Sequence, residues 1–485
     1  MDHSHKRKGA VSMLSRVISA VKKGNPKALF ASFIYFDHSF SIWLLLGALG
    51  PFIAEELGLT GAQKGFMVAV PVIAAAIFRI NFGHMFQYIN GKNIALMGIL
   101  LSSLPHLYII VRGFEVSYRD LLWIGVLLGV AGASFAIALP MAGSNYPREV
   151  QGLVLGLAAA GNIGAVLDGI LFPPLARAIG WQLAFVLSAG LLAVSAFFVL
   201  LWAKDRTPKN EGSKLYPVLS FFLTLLFLIV MALLFSGSTG GAEGNTGKLL
   251  IPVFGSAFAL LLMPAPFKKV LLERDTWVMM LAYSVTFGGF VGMSSYIAML
   301  LRDVYSVSKV EAGILMSLFA FTGAMIRPLG GFIADRISGA TALMYFLGGI
   351  TLVNLIFSLF VPPLVVGVLM FLLLYTFYGL GNGAVFQLVP HRWPRKTGLM
   401  TGIIGAAGGI GGFYLPTVNG IVYEATGSYS LAFALFGSIA LSCLVLVRIL
   451  HARWMEWAYV RYDYQSERIS GIDPKTGRVV MEIAG

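Results

Sequence analysis

Two stretches of sequence decide the fold: residues 68–83, VAVPVIAAAIFRINFG, and residues 316–331, MSLFAFTGAMIRPLGG. Each surrounds a single charged residue, Arg79 or Arg327, with uncharged and mostly apolar side chains. A guanidinium stays charged under all cellular conditions, and placing one inside a bilayer costs several kcal/mol. Because charges in such positions usually serve function, the two arginines predict an anion site on the axis of a membrane protein.

The composition agrees with a membrane location. Hydrophobic residues make up 58% of the chain, charged residues only 12%, and the mean hydropathy is +0.82. A soluble domain is about one quarter charged. Hydropathy predicts about fourteen apolar segments, each near the ~20 residues that cross the hydrocarbon layer as a helix. The predicted fold class is therefore an all-α polytopic membrane protein.

The segments divide the chain into five predicted parts. Two six-helix bundles flank a central linker, and polar segments lie at both ends. The tail after the second bundle has too little apolar content to cross a membrane. The parts are a basic cytoplasmic arm (1–28), an N-terminal bundle (29–203), a linker with two additional transmembrane helices (204–275), a C-terminal bundle (276–450) and a cytoplasmic tail (451–485).

The net charge of +13 is explained by topology. Basic residues gather in alternate loops, at 204–214, 268–274 and 392–396, which is typical of the positive-inside rule. We expect a multi-pass protein of the cell inner (plasma) membrane with both termini in the cytoplasm. No nucleic-acid-binding motif accompanies the charge. The single cysteine, Cys443, excludes an intrachain disulfide.

The two bundles are related by an internal repeat. Residues 159–164, AAGNIG, recur as residues 406–411, AAGGIG, and Arg79 recurs as Arg327. Two six-helix halves with a parallel repeat are typical of the major facilitator architecture, in which the substrate lies near the midplane and the halves rock around it. The second arginine is thus the symmetry mate of the first.

Glycines form a small-residue face on the fifth helix and another on the eleventh. Glycine in a helix interior costs about 1 kcal/mol relative to alanine, so such clusters need a reason. Small faces let helices approach closely and slide, either as static packing or as surfaces that move during transport. The glycines are Gly156, Gly161 and Gly164 on the fifth helix, and Gly405, Gly408, Gly409, Gly411 and Gly412 on the eleventh.

These glycine runs carry a family resemblance. Residues 156–164, GLAAAGNIG, and 402–412, GIIGAAGGIGG, resemble the signatures of the nitrate/nitrite porters of the major facilitator superfamily, which include the NarK-type and assimilatory transporters. The resemblance covers both bundles but neither the segment near 210–270 nor the tail. It implies two pseudo-symmetric six-helix bundles and transport of nitrate or nitrite.

The resemblance also assigns substrate-binding roles to seven residues. Nitrate and nitrite are small planar or bent monoanions, and a guanidinium fork offers paired donors in one plane. Aromatic rings packed against a flat anion would exclude water. Core packing for the rings and an interhelical hydrogen bond for the asparagine are the alternatives. The seven are Arg79 and Arg327 as the gripping pair, Phe135 and Phe386 as the rings, Tyr283 as a tyrosine ligand with Phe287 in the same run, and Asn162 as the signature asparagine.

Coupling of transport has two possible forms. Two facing cations without an anion repel each other, which disfavours the empty carrier and predicts obligatory exchange. However, Asp37 and His38 lie inside the first helix, and an ionisable residue there is a proton-relay candidate. Neighbours point about 100° apart, so at most one of them should face the site. A structural hydrogen bond is the alternative role.

A loop motif of the superfamily is retained in one half only. Residues 331–339, GFIADRISG, match it, and Asp335 and Arg336 are predicted to form a latch between the halves at the cytoplasmic side. The equivalent stretch 83–91 has Gln87 in place of the aspartate, so the latch would be asymmetric. A solvated loop pair is the alternative.

Three functional interpretations remain open. The first is a secondary carrier for nitrate or nitrite, as proton symporter or antiporter. The second is a carrier for another small anion, such as formate or phosphate. The third is a non-transporting sensor that signals through its tail. No nucleotide loop, zinc motif or nucleophile elbow indicates an enzyme. We expect no cofactor and no metal, with the anion, protons and the lipid bilayer as partners of a monomer.

Overall fold

The computed structural model describes residues 13–235, 242–393, 397–457, 460–463, 468–472 and 479–483, so part of the predicted basic arm lies outside the described residues. Ten helices precede the central linker: α1 Met13–Lys22, α2 Pro26–Glu56, α3 Gly61–Phe86, α4 Gly91–Val111, α5 Tyr118–Gly132, α6 Phe135–Gly143, α7 Arg148–Ala159, α8 Gly164–Ile179, α9 Trp181–Leu187 and α10 Ala189–Trp202. The linker holds α11 Leu215–Leu234, α12 Ala242–Leu261 and α13 Ala265–Lys269. The remaining helices are α14 Arg274–Tyr305, α15 Lys309–Met325, α16 Arg327–Ile337, α17 Gly339–Leu359, α18 Leu364–Arg392, α19 Thr397–Thr426 and α20 Ser430–Trp457.

The predicted membrane spans form as helices. Within the described residues, 13 helical stretches are long and apolar enough to cross a membrane, and the remaining predicted segment is the shorter apolar helix Asn245–Leu261. These thirteen stretches and the shorter helix agree with the prediction of about fourteen apolar segments. The fold class, a polytopic helical membrane protein, is confirmed.

The two sets of helices, α2–α10 and α14–α20, meet along closely packed seams. Helix α3 lies along α19, α8 lies on α15, and α2 lies on α14. Glycines permit this approach, because a Cβ at Gly65 would collide with the carbonyl oxygen of Pro416, and one at Gly169 would collide with that of Gly313. We call the two sets the first and the second half.

Besides the sixth span, which is interrupted at Ser188 between α9 and α10, three spans are interrupted close to the predicted site. The fourth breaks between α5 and α6, and the eighth breaks between α15 and α16, where Arg327 begins the new helix. The fifth contains a 3-10 turn, Ala160–Ile163, between α7 and α8. Broken helices expose backbone groups that can bind ligands. The breaks coincide with the sequence runs predicted to bind the anion.

The central helices pack against the bundle. Asn81 on α3 donates from Nδ2 to Ser220 Oγ (3.4 Å) and Thr224 Oγ1 (3.3 Å), both on α11. Helix α12 contacts α3 of the first half and α19 of the second, and Tyr414 donates from its hydroxyl to the Leu249 carbonyl over 3.1 Å. Helices α11 and α12 therefore lie beside the seam that α3 and α19 form between the two halves.

A polar cluster around the buried Asp275 lies just before the C-terminal tail. Asp275, at the start of α14, accepts hydrogen bonds from Arg392, Arg453 and Trp454, which ties the ends of α18 and α20 to α14. Three antiparallel strands follow in the order β1 Val460–Asp463, β2 Arg468–Ile472 and β3 Val479–Ile483. The tail thus adds a small sheet that hydropathy did not predict.

A buried ion pair fixes the loop after α10, and it makes stability depend on pH. Burial opposes ionisation of Asp205, but hydrogen bonds from Lys209 and from the Gly91 and Thr207 backbones outweigh it and lower its pKa. A lowered pKa means that this stabilisation is complete above the ordinary carboxylate range and disappears as pH falls through the lowered value. We expect Asp205→Asn to lose about 2 kcal/mol of stability at neutral pH. Thermal unfolding of both proteins in detergent should show a difference that shrinks on acidification, and a constant difference would contradict the assignment.

Candidate functional site

Arg79 lies between the two halves and is only 3% exposed. Its Nε donates to the Gly132 carbonyl of the first half over 3.1 Å, and its Nη1 donates to the Gly405 carbonyl of the second over 3.2 Å. Its Nη2 is buried and has no hydrogen-bond partner in the structure. A buried charged donor without a partner is costly unless a ligand completes it. The free N–H groups of Arg79 are therefore available to an anion.

The break in the fourth span supplies one of these contacts. The N–H of Ser134 bonds to the Ala131 carbonyl, and that of Ala136 bonds to the Ala133 carbonyl, in tighter spacing than an α-helix has. The Gly132 carbonyl is consequently free to accept from Arg79. Phe135, which opens α6, lies with its ring centroid 5.6 Å from the guanidinium carbon.

Arg327 approaches the same place from the second half. Its Nη2 donates to the Tyr283 hydroxyl over 3.1 Å. The Tyr283 ring stacks on Phe287, with centroids 5.0 Å apart and planes 1° from parallel, and meets Phe386 edge-on at 4.8 Å. The Phe287 centroid lies 5.6 Å from the guanidinium carbon of Arg327 and 5.4 Å from that of Arg79. One ring therefore contacts both arginines, and the two guanidinium groups are neighbours.

The two cations have no anionic partner. Among the described residues, no carboxylate forms an ion pair with Arg79 or Arg327. The aromatic rings around Arg79 offer cation–π contacts, each worth about 0.5–2 kcal/mol. These contacts offset part of the cost of burial, but they leave the repulsion between the arginines in place. An anion bound between them would remove it.

The glycines of the fifth and eleventh spans lie at close helix contacts, as the small-residue faces predicted. A Cβ at Gly161 or Gly164 would collide with α2 at Phe36 or Asp37, and one at Gly408 would come within 2.6 Å of the Tyr283 ring. The faces thus hold α2 and α14 against the site. Of the remaining glycines of the eleventh span, Gly409 and Gly412 pack against α3, and Gly411 packs against α14. A Cβ at Gly405 would meet nothing within 4 Å. The surroundings of Gly156 lie outside what the structure describes.

Asn162 lies in the 3-10 turn, next to the glycine face, and is 2% exposed. Its side-chain oxygen has no hydrogen-bond partner in the structure. The structure shows no contact from Asn162 to either arginine. Its role as a substrate residue remains a prediction, and the unpartnered oxygen marks it as a group that a ligand or water could complete.

Asp37 and His38 point in different directions, as their adjacency requires. The His38 Nδ1 lies 2.9 Å from the Leu191 carbonyl and 3.0 Å from Ser195 Oγ, both on α10. This ring is used for packing inside the first half and does not face the arginines. Asp37 is 6% exposed, and its backbone packs against Gly161 and Gly164 of the fifth span. The relay role stays a prediction for both residues.

Ion pairs join the halves at one end of the bundle. Glu55 at the end of α2 pairs with Arg302 (3.4 Å) and Lys309 (3.0 Å) of the second half, and Lys64 on α3 pairs with Asp303 (3.5 Å). We call this side, defined by these five residues, the closed end. Exposed pairs contribute about 0–1 kcal/mol each, so the network biases the conformation without locking it.

The predicted latch lies at the opposite end of the bundle, where a Cβ at Gly83 or Gly402 would meet nothing within 4 Å. The predicted latch residues Asp335 and Arg336 are exposed, and neither forms an ion pair with any residue that the structure describes. Arg336 instead lies over Phe332 of its own helix at 4.6 Å. The latch is not formed in this conformation and remains a prediction for the state in which this end closes.

Trp43 is a site residue that sequence reasoning missed. Its ring centroid lies 5.0 Å from the Arg79 guanidinium carbon, and its Nε1 donates to the Pro71 carbonyl over 2.8 Å. The sequence signal for such a role was the position of this tryptophan in the middle of a span, since tryptophan is enriched at the membrane interfaces. The Gly132 and Gly405 carbonyls were not predictable in this way, because side-chain patterns do not report backbone ligands.

The fold and site together define a membrane carrier in which two helical halves enclose a central pair of cations and meet tightly at one end. Comparisons with known proteins agree. The Major Facilitator Superfamily profile matches residues 31–416, and the chain belongs to that superfamily. Its relatives are transporters, so the chain is a membrane transporter and not an enzyme.

Two relatives and one solved structure illustrate the likeness. The nitrite extrusion protein of Bacillus subtilis (strain 168) is 28% identical over 418 residues, covering 86% of this chain and 91% of the relative. The "Probable nitrate/nitrite antiporter NarK1" of Thermus thermophilus is 27% identical over 462 residues, covering 90% and 95%. The crystal structure of a bacterial homologue of the human lysosomal transporter Spinster, inward-facing and unoccupied, superposes with a TM-score of 0.59 at 16% identity over 89% of this chain and 96% of that one, a likeness of fold alone.

Proposed function

We propose that this chain is a secondary carrier that moves nitrate and nitrite across the membrane by alternating access. The observation that carries the proposal is the central pair of arginines, which share the Phe287 ring, have no carboxylate partner among the described residues and leave Arg79 Nη2 unpaired. The names of the relatives, which include nitrite extrusion and nitrate/nitrite antiport, support the same substrates.

The shape of the site suits a flat anion. Phe287, Phe135 and Trp43 surround the guanidinium of Arg79 with rings and leave its N–H groups as the polar edge. A planar anion lying in the plane of a guanidinium can accept two parallel hydrogen bonds, whereas a tetrahedral anion cannot fit between rings as closely. The seven predicted substrate residues accordingly stay as our proposed binding set, with Trp43 added.

Proton symport is our preferred coupling mode, with nitrate/nitrite exchange as the alternative. Asp37 follows Phe36, whose ring lies 5.6 Å from that of Phe135 beside Arg79, and we infer that the Asp37 carboxylate balances part of the arginine charge when the anion has left. When the arginine charge is balanced in this way, the empty carrier can change conformation without an anion, as proton symport requires. Without such a group the two cations would hinder the empty return and enforce exchange.

The proposal also covers the orientation of the chain in the membrane and the residue range of each bundle. The basic loops support a cytoplasmic location for both termini in the inner membrane, with bundles at 29–203 and 276–450 and the chain active as a monomer. The closed end would then face away from the cytoplasm. The tail from residue 451 would not be needed for transport. Uptake by a protein truncated after Trp457 would therefore oppose the sensor interpretation.

Transport into proteoliposomes tests the substrate. We expect the purified carrier to exchange labelled nitrate for internal nitrate, with nitrite as an effective competitor and phosphate as a poor one, because phosphate is tetrahedral and multiply charged. Formate, which is flat and monovalent, should compete at an intermediate level. If phosphate competes as well as nitrite, the site selects charge rather than shape, and the substrate assignment is wrong.

Tyr283→Phe should affect affinity more than turnover. The change removes the hydroxyl that accepts from Arg327 while keeping the ring that stacks on Phe287. Loss of one such hydrogen bond costs about 1.5 kcal/mol, or about tenfold in the KM for nitrate. Tyr296→Phe, on the same helix but hydrogen-bonded to Tyr429, is the matched control and should leave KM unchanged. An unaltered KM in Tyr283→Phe would remove Tyr283 from the binding set.

A further inference from the structure

A second polar group lies sealed within the first half, outside the anion site. Asp168 on α8 is 0% exposed, and its Oδ1 accepts a hydrogen bond from Ser41 Oγ on α2. Its other oxygen, Oδ2, is buried and has no hydrogen-bond partner in the structure. Ser41 lies one helical turn beyond Asp37 on the same helix, and Gly164, one turn before Asp168 on α8, packs against the backbone of both Asp37 and Ser41.

No cation balances this pair. Among the described residues, neither Asp37 nor Asp168 forms an ion pair. On α2, the ring of His38 is turned to α10. On α15, which packs against α8, the charged side chains are Lys309 and Glu311 in the first turn, at the closed end. Helix α9 and the 3-10 turn carry no titratable side chain. Within the described residues of these elements, Asp37 is the remaining titratable residue one helical turn from Ser41.

The location of Asp168 connects it to the motion of the halves. The adjacent Gly169 packs on Gly313 of α15, and Ser317 on α15 donates to the Val166 carbonyl over 2.7 Å. These contacts belong to the seam between the first and second halves. When the closed end opens, this seam must separate, and Asp168 becomes reachable from the water on that side. In the present conformation it is sealed.

We propose that Asp168, held by Ser41, is the residue that binds the coupled proton, and that Asp37 passes this proton to the anion site. The inference rests on the proposed carrier function and deepens its coupling step. An isolated carboxylate in a membrane interior is expensive, so a site with one donated hydrogen bond and one free oxygen fits a carboxylic acid better than a carboxylate. Ser41 orients the group and leaves Oδ2 for the proton.

Movement of one proton with each anion would keep the transport cycle electrically neutral. With the closed end open, a proton from water on that side forms an O–H bond at Oδ2 of Asp168, and the anion binds between the arginines. After the seam closes, the O–H bond breaks, and the proton moves by way of Asp37 to water at the opposite end as the anion leaves. One proton with one nitrate moves no net charge. The carboxylate left on Asp168 offsets one positive charge of the protein during the empty return.

Two transport modes separate this role from a structural one. Accumulation driven by a proton gradient requires the proton to bind and leave, whereas counterflow of labelled against internal nitrate requires only the loaded carrier. Asp168→Asn copies the shape and hydrogen bond of the protonated acid. We expect it to lose gradient-driven accumulation and to retain substantial counterflow. Asp120→Asn, a carboxylate of the same half that caps α5 and accepts from Tyr108, is the matched control and should retain both modes.

Ser41→Ala and a spectroscopic measurement extend the test. Ser41→Ala should keep accumulation but shift its pH dependence, because the variant loses only the donor to Oδ1. Infrared difference spectra recorded on acidification should show a carboxylic acid band that is absent in Asp168→Asn.

The outcomes distinguish this inference from the function on which it rests. Native protein that exchanges nitrate but shows no proton-driven accumulation overturns the inference and leaves the carrier function standing. Absence of nitrate counterflow in the native protein overturns the carrier function itself. Asp168→Asn that accumulates nitrate normally, or that loses both modes equally, also overturns the inference, since the residue would then be dispensable or structural.

Discussion

Lysine in place of Arg79 or Arg327 should lower nitrate transport about 100-fold in either case. The substitution keeps the positive charge and removes the planar fork. Each variant loses at least two hydrogen bonds between charged partners, which together cost about 3 kcal/mol, or about 100-fold in kcat/KM. Lysine is a point charge with a strongly hydrated head, so it cannot reproduce paired, coplanar donors.

The two variants should differ in what else they lose. Arg79 also contacts the Gly132 carbonyl of the first half and the Gly405 carbonyl of the second, so Arg79→Lys disconnects the halves at the site. Arg327 has the Tyr283 hydroxyl as its described partner. We therefore expect Arg79→Lys to lower the thermal stability of the free protein as well, whereas Arg327→Lys should retain it.

Counterflow kinetics and nitrate-dependent thermal stabilisation of the purified protein check both expectations. Arg112→Lys, on an exposed turn at the end of α4, serves as the matched control. Near-native kcat/KM in both central variants would mean that positive charge alone suffices. In that case the planar geometry of the site, and with it the preference for a flat anion, would have no basis.

The sequence predicted the parts of this protein that depend on local pattern. Hydropathy located the spans, and the repeat paired Arg79 with Arg327 because both lie in equivalent apolar stretches. The resemblance placed Tyr283 and Phe287, and the structure brings these two rings to the arginines. Such features are carried by residue type and spacing along one helix.

Features that depend on packing between distant segments were not predictable. Trp43 reaches Arg79 because α2 and α3 lie side by side, and Ser41 reaches Asp168 because glycines bring α8 against α2. The pairing of Glu55 with Lys309 joins the ends of two helices that are far apart in the chain. The latch at Asp335 and the relay at His38 stay predictions: Asp335 forms no ion pair among the described residues, and the His38 ring lies against α10.

The closed end provides the second large effect. Joining the halves there should abolish transport, because alternating access requires them to separate at this end. Lys64 and Asp303 lie in different halves, are partly exposed and approach to 3.5 Å. We propose Lys64→Cys with Asp303→Cys, joined by a short bifunctional thiol reagent. The single native cysteine, Cys443, is buried and can be replaced by serine, so only the introduced pair reacts.

Transport should fall in proportion to the cross-linked fraction, while nitrate binding, measured as thermal stabilisation, should remain because the opposite end still admits the anion. A matched control places the cysteines within one half, as Tyr108→Cys with Asp120→Cys, whose side chains touch in the native protein. Cross-linking that pair should leave transport intact, since α4 and α5 move together. If fully cross-linked Lys64→Cys/Asp303→Cys protein still transports nitrate at the uncross-linked rate, the halves do not separate at this end. The ion pairs between Glu55, Arg302 and Lys309 would then be ordinary structural contacts rather than a gate.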